Sequence, residues 1–175
     1  MHVLIVNNTQ IPIKDYGGTE RIIWWLGKEL IKMNHQVSYL VAPGSHCPFA
    51  ENVLEYNPSL SIDEQIPDNI DFVHINFQIN QPIKKPYVIT HHVNFDVKVF
   101  DKNTIFVSRD HANRNGSDCF VYNGIDIEDY GQVNFNLKRK HLLFLAGIKR
   151  PEKNIFGCIE MSFRAKENLA VLGGR

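Results

Sequence analysis

The residues with chemistry to offer sit where apolar runs end. Tyr16-Gly17-Gly18-Thr19-Glu20-Arg21 joins a first apolar run to a long amphipathic stretch. Adjacent glycines let a backbone turn sharply and approach a ligand with no Cβ in the way. A helix that starts at Thr19 or Glu20 aims its free N–H groups and positive dipole end into the same crevice, which predicts an anion site. Later apolar runs end in His74 and Asn76, in His91 and His92, in Ser108 and Arg109, and in Asn123, a set of hydrogen-bonding and proton-carrying groups. Successive side chains of a strand point to opposite faces, so at most one of His91 and His92 faces a shared cleft. Lys149, Arg150 and Lys153 bring cations to a glycine-bearing loop near the C-terminal end. Cys47, Cys119 and Cys158 lie far apart and form no C-x-x-C, so neither a disulfide framework nor a zinc site is expected.

Alternating strands and helices must position these groups. Met1 to Val6 reads as a strand, and a helix to about Met33 places Ile22, Ile23, Leu26, Leu30 and Met33 on one face and Arg21, Lys28 and Lys32 on another, where Trp25 also falls and is expected as a partly buried ring at a helix–loop contact. Gln36 to Ala42 is a second strand closed by Pro43-Gly44, completing a βαβ unit whose right-handed crossover makes the strands parallel. Further strands are predicted at 53–56, 71–75, 87–90, 104–107 and 119–122, with a helical turn within 61–65. Ligands of an open parallel sheet bind beyond the carboxyl ends of its strands, so the strand-end polar groups should converge on the edge that carries Gly17 and Gly18. Asn123-Gly124 marks a turn, 128–140 reads as a linker, and 141–175 begins a second unit with a strand at 141–146, a loop at 147–154, a helix at 155–166 and a strand at 169–172. The expected organisation is a Rossmann-like domain over 1–127, the linker, and the start of a second, incomplete Rossmann unit.

The chain has 175 residues, 43% apolar and 22% charged, which is ordinary globular usage. No run approaches the roughly 18 apolar residues of a membrane span. The first residues lack the basic region and cleavage site of a secretory signal, so a cytoplasmic protein is expected, with peripheral membrane contact left open. Net charge is zero, but residues 1–120 hold 10 Lys/Arg against 13 Asp/Glu while 121–175 hold 9 against 6. That distribution disfavours a nucleic-acid binder and suits a local anion site.

Four stretches occur in the order found in one enzyme group: Gly17-Gly18-Thr19-Glu20-Arg21, Thr90-His91-His92, Val121-Tyr122-Asn123-Gly124-Ile125-Asp126, and Phe144-Leu145-Ala146-Gly147 leading to Pro151-Glu152-Lys153-Asn154. The chain resembles the N-terminal half of the family-4 retaining glycosyltransferases of GT-B fold, over nearly all its length. The resemblance implies an acceptor-side Rossmann-like domain, a donor-side domain that binds a nucleotide-sugar, and metal-independent transfer with retention to a glycan, lipid or small-molecule acceptor. Under it, Gly17, Gly18 and Thr19 approach the donor diphosphate or acceptor, and His92, with His91 its neighbour, lies near the donor sugar. Lys153 neutralises the diphosphate, and Asn123 and Asp126 form the interdomain turn. The family arginine after the glycine corresponding to Gly147 is replaced by Ile148, so Lys149 or Arg150 would supply that charge. The family's acidic E-x7-E element would lie beyond Arg175. This chain alone is therefore expected not to turn over substrate, and to need the remaining C-terminal domain or another chain. The alternative reading is a catalytically incompetent module that binds a sugar-phosphate, a nucleotide or a partner. A dinucleotide-dependent enzyme is disfavoured because no G-x-G-x-x-G follows the first strand.

Overall fold

The computed structural model describes residues 1–14, 17–80, 82–93 and 99–173; Tyr16, Gly174 and Arg175 of the sequence motifs lie outside them. The chain divides into two compact units, Met1–Asp126 and Ile127–Arg175. The first is a Rossmann-like α/β unit. Its strands are β1 (His2–Val6), β2 (Gln36–Val41), β3 (Asn52–Glu55), β4 (Phe72–Ile75), β5 (Tyr87–His91) and β6 (Thr104–Phe106), all parallel in the order β3-β2-β1-β4-β5-β6. β1 is buried along its whole length because it has a strand on each side and packing on both faces, which explains its unbroken apolar run. The strand order reverses at β1, with β2 on one side and β4 on the other, and this is where an open α/β sheet opens a crevice.

One face of the sheet is covered by helix α1 (Gly18–Lys32). Val3, Ile5, Val37, Tyr39 and Val41 pack there with Ile23, and Trp24, Leu26, Leu30 and Ile31 close around them. The wheel reading of this helix needs correction at Met33, which is exposed, while Trp24 and Gly27 face inward; Trp25, on the polar side of the wheel, is buried as expected for a ring at a helix–loop contact. Gly27 explains the inward rotation. A Cβ there would stand 1.9 Å from the Tyr39 hydroxyl, which crosses the helix–sheet gap to donate a hydrogen bond to the Ile23 carbonyl at 3.0 Å. The opposite face carries Leu4, Val6, Leu40, Val73, Ile75 and Ile89. No helix longer than the 3-10 turn Asp63–Gln65 lies in the described residues between β3 and β5, so this face is roofed by loop side chains such as Tyr56, Ile62, Phe77 and Ile83.

Beyond β6 the expected strand at 119–122 reduces to one parallel bridge, Phe106 to Phe120. The segment between them forms a short helix unforeseen in the sequence, α2 (Arg109–Arg114), whose N-cap Ser108 accepts a hydrogen bond from His111 N–H at 3.1 Å. Asp126 is tied to α1 by an ion pair with Lys28 at 2.7 Å.

The second unit contains a 3-10 turn (Ile127–Tyr130), then residues 131–141 without helix or strand, then β7 (Leu142–Leu145), α3 (Ile155–Ala165) and β8 (Leu169–Leu172), with β7 and β8 parallel. Two strands bury little of a parallel sheet: Phe144 is inside, but Leu143, Leu145 and Leu172 and the helix residues Phe156 and Phe163 are exposed. No helix of the described residues is long and apolar enough to cross a membrane.

Candidate functional site

The crevice at the reversal of strand order holds a cavity of about 260 Å³. Its wall combines the residues just after β1 (Asn7, Asn8, Thr9), the first turn of α1 (Thr19, Glu20), the end of β4 (Asn76, Phe77, Gln78) and the end of β5 (His91, His92, Val93). Each contributes because a parallel sheet brings all its carboxyl ends to one edge.

Two hydrogen-bonded chains set the polar groups. In the first, Asn7 Nδ2 donates to Thr9 Oγ1, which donates to Glu20 Oε1 at 2.8 Å. In the second, Asn76 is buried and donates from both its backbone N–H (3.0 Å) and its Nδ2 (3.2 Å) to the carbonyl of Val6, tying β4 to the end of β1. With Nδ2 so committed, the amide turns Oδ1 toward His92, whose Nε2 stands 3.0 Å away and donates to it. His92 is neutral near pH 7: burial, then the neighbouring His91, pushes its imidazole down to about 4 from 6.5, against a smaller upward pull from Glu20. A neutral ring that carries its proton on Nε2 leaves Nδ1 as a hydrogen-bond acceptor. The site thus offers an oriented uncharged acceptor, a carboxylate and several amide and hydroxyl groups.

Gly17 has φ −177° and ψ 113°, extended backbone open to any residue, so conformational freedom is not its role. Its role is clearance: a Cβ would come within 2.5 Å of Glu20 Oε2 and 2.8 Å of Ile13 Cγ1. Gly18 is the first residue of α1, and a Cβ there would meet nothing within 4 Å among the described residues. Glu20 bears on the expected anion site at this junction. Its carboxylate, in the first turn of the helix, already faces the positive end of the dipole and makes the junction acidic.

Both histidines border the cavity, against the expectation that at most one would, but their partners differ. His92 reaches Asn76, while the His91 ring, which also borders the cavity, is buried at 3% exposure among Phe100 (4.9 Å), Phe106 (5.9 Å) and His111 (5.4 Å between centroids). The ring Nε2 atoms of His91 and His111 find no hydrogen-bond partner among the described residues.

Other strand-end groups do not join the cavity. His74 pairs with Thr90 Oγ1 at 2.6 Å and is likewise pushed down to about 4 by burial and by His92. Ser108 is occupied as a helix cap, and the Arg109 guanidinium stands 5.4 Å from the centre of the Phe120 ring. Asn123 is exposed. In the second unit Arg150 reaches Glu152 at 3.7 Å and Lys153 is exposed beside Asn154, which caps α3 by accepting from Gly157 N–H at 3.1 Å. Asn7, Thr9 and Gln78 were missed in the sequence. Asn7 and Thr9 could have been found by asking which polar residues directly follow the central strand. Among the described residues no three His, Cys, Asp or Glu side chains gather closely enough to hold a metal ion.

No family model matches the chain, and no curated protein matches it. Among solved structures it is similar to the crystal structure of AviGT4, a glycosyltransferase involved in avilamycin A biosynthesis, with a TM-score of 0.75 and 22% identity over 97% of this chain. The likeness establishes a shared fold. The match spans 55% of the AviGT4 chain, so the present chain corresponds to about half of that protein.

Proposed function

We propose that the chain is the acceptor-side half of a glycosyltransferase, with the first strands of its donor-side half, and that the complete enzyme moves a sugar from a nucleotide-sugar to a glycan, lipid or small-molecule acceptor with retention and without a metal. The observation that carries this reading is the switch-point cavity, in which Asn76 holds a neutral His92 with Nδ1 free to accept from a sugar hydroxyl. The fold shared with AviGT4 supports it. Glycosyl transfer needs hydroxyl groups held in register with the reacting carbon more than it needs a strong base in this half, and positioning of that kind lowers barriers substantially. Glu20 and Thr9 would take further hydroxyls. Lys153 and Arg150 would meet the donor diphosphate, where a cation stabilises charge developing on the leaving group.

The test is transfer by a polypeptide that joins this sequence to a complete donor half, read by nucleoside diphosphate release and product mass. His92→Ala should lower transfer by about 10²-fold, the scale of one lost preorganised hydrogen bond in a dry site. His91→Ala, which empties an aromatic cluster, should cost stability more than transfer. Equal losses of transfer, or none from any nucleotide-sugar, would overturn the reading. The 175-residue chain by itself should bind nucleotide-sugars weakly or not at all.

A further inference from the structure

A second, larger cavity of about 380 Å³ adjoins the first. Phe77 and Gln78 stand in the walls of both. It lies on the loop-roofed face of the sheet, between the segment after β3 and the segment after β4. A doubly wound sheet covers both faces with crossover helices. Here the β3–β4 connection has only the 3-10 turn Asp63–Gln65, and loop side chains roof this face instead.

The walls have a consistent chemistry. Tyr56 and Phe77 form an edge-to-face pair 5.6 Å apart, an apolar surface for the C–H face of a ring. Around it stand Ser61, Asp63, Asn80 and Gln78. Gln78 Oε1 is buried without a hydrogen-bond partner among the described residues, while its Nε2 makes a long contact of 3.4 Å to the Ile79 carbonyl. A buried acceptor left unmet is costly, and a donor hydroxyl would relieve it. Charge narrows the ligand further. No Lys or Arg is among the described residues of either wall, and the ionised side chains there are Asp63 and Glu20. Lys84, outside the walls, stands 4.0 Å from Asp63.

Resting on the glycosyl-transfer reading above, we propose that the two cavities, which share the wall residues Phe77 and Gln78, together bind an uncharged, polyhydroxylated acceptor, a glycan or glycoside whose reacting end lies by His92 and whose next ring lies on Tyr56 and Phe77, with Gln78 accepting from a hydroxyl between them. Walls with no cation among the described residues disfavour phosphorylated acceptors. The site selects by charge before it selects by sugar.

Amide chemical shifts of the full 175-residue chain, titrated with maltose, cellobiose and lactose and, separately, with glucose 1-phosphate, test this. At least one disaccharide should shift the Asn76, Phe77, Gln78 and Ile62 amides together, and glucose 1-phosphate should bind about 10-fold more weakly or not at all. Gln78→Leu, which keeps the shape and removes the acceptor, and Tyr56→Leu should each weaken the disaccharide by about 10-fold, one hydrogen bond or one ring contact. Tighter binding of the sugar phosphate, shifts confined to the Asn7–His92 cavity, indifference to Gln78→Leu, or no binding by any disaccharide would each overturn the proposal. Transfer that persists without this binding counts against the second cavity alone. Disaccharide binding that persists with no transfer from any nucleotide-sugar counts against the proposed function alone.

Discussion

The two units share one grammar, strand, glycine-bearing loop, helix, parallel strand, yet they treat their polar residues differently. In the first, β1 has neighbours on both edges and apolar cover on both faces, so the groups at its end are held by buried partners: Val6 accepts from Asn76, and Asn76 accepts from His92. In the second, β7 and β8 have only each other, and Arg150 and Lys153 stand in solvent. A motif therefore becomes an oriented site only where the sheet continues around it, because burial is what makes a hydrogen bond strong enough to fix a side chain.

Acid should separate the units most. His74 and His92, both pushed down to about 4 from 6.5 by burial, take up protons in the unfolded chain before they do in the folded one. The stability they contribute is complete above pH 6.5 and is lost as the pH falls toward 4. The lowered imidazoles of His91 and His111 act in the same direction. Hydrogen exchange at pH 4.5 should show β4 and β5 losing protection while β7 and β8 hardly change from pH 7. Equal loss in both units would remove the distinction.

Gly27→Ala comes next. It drives a methyl into the Tyr39 hydroxyl inside the helix–sheet interface, and the expected loss is about 1–3 kcal/mol in urea unfolding even though alanine is the better helix former by about 1 kcal/mol. A neutral or stabilised variant would mean that α1 can slide away from β2. At the small end, Phe163→Ala in the second unit removes a ring that is 85% exposed and should change unfolding free energy by less than about 0.5 kcal/mol. A loss of 2 kcal/mol there would show that α3 is covered in solution.

The elements themselves were largely legible. Short β-branched runs, the Gly17-Gly18 junction and the 3.6-residue period located every strand of the parallel sheet and both longer helices to within a residue or two, because each pattern reports which faces are buried. The strand expected at 119–122 failed for a reason no local pattern contains: beyond β6 it is an edge, and only Phe120 makes the pairing. The inward side of α1 was misjudged for a similar reason. Met33 has the apolarity of a core residue but lies past the sheet, whereas Gly27 has none and lies where Tyr39 needs room.

The sequence by itself determined the alternation of strand and helix and the glycine junction, since these follow from backbone periodicity alone. Which histidine is held by a polar partner at the crevice was decided by tertiary structure, through an Asn76 amide fixed by Val6 from a strand 70 residues away in sequence. So was the character of the glycine junction. The helix dipole favours an anion there, and the tertiary structure adds that Thr9, in the loop after β1, donates to Glu20, whose carboxylate lies beside Gly17.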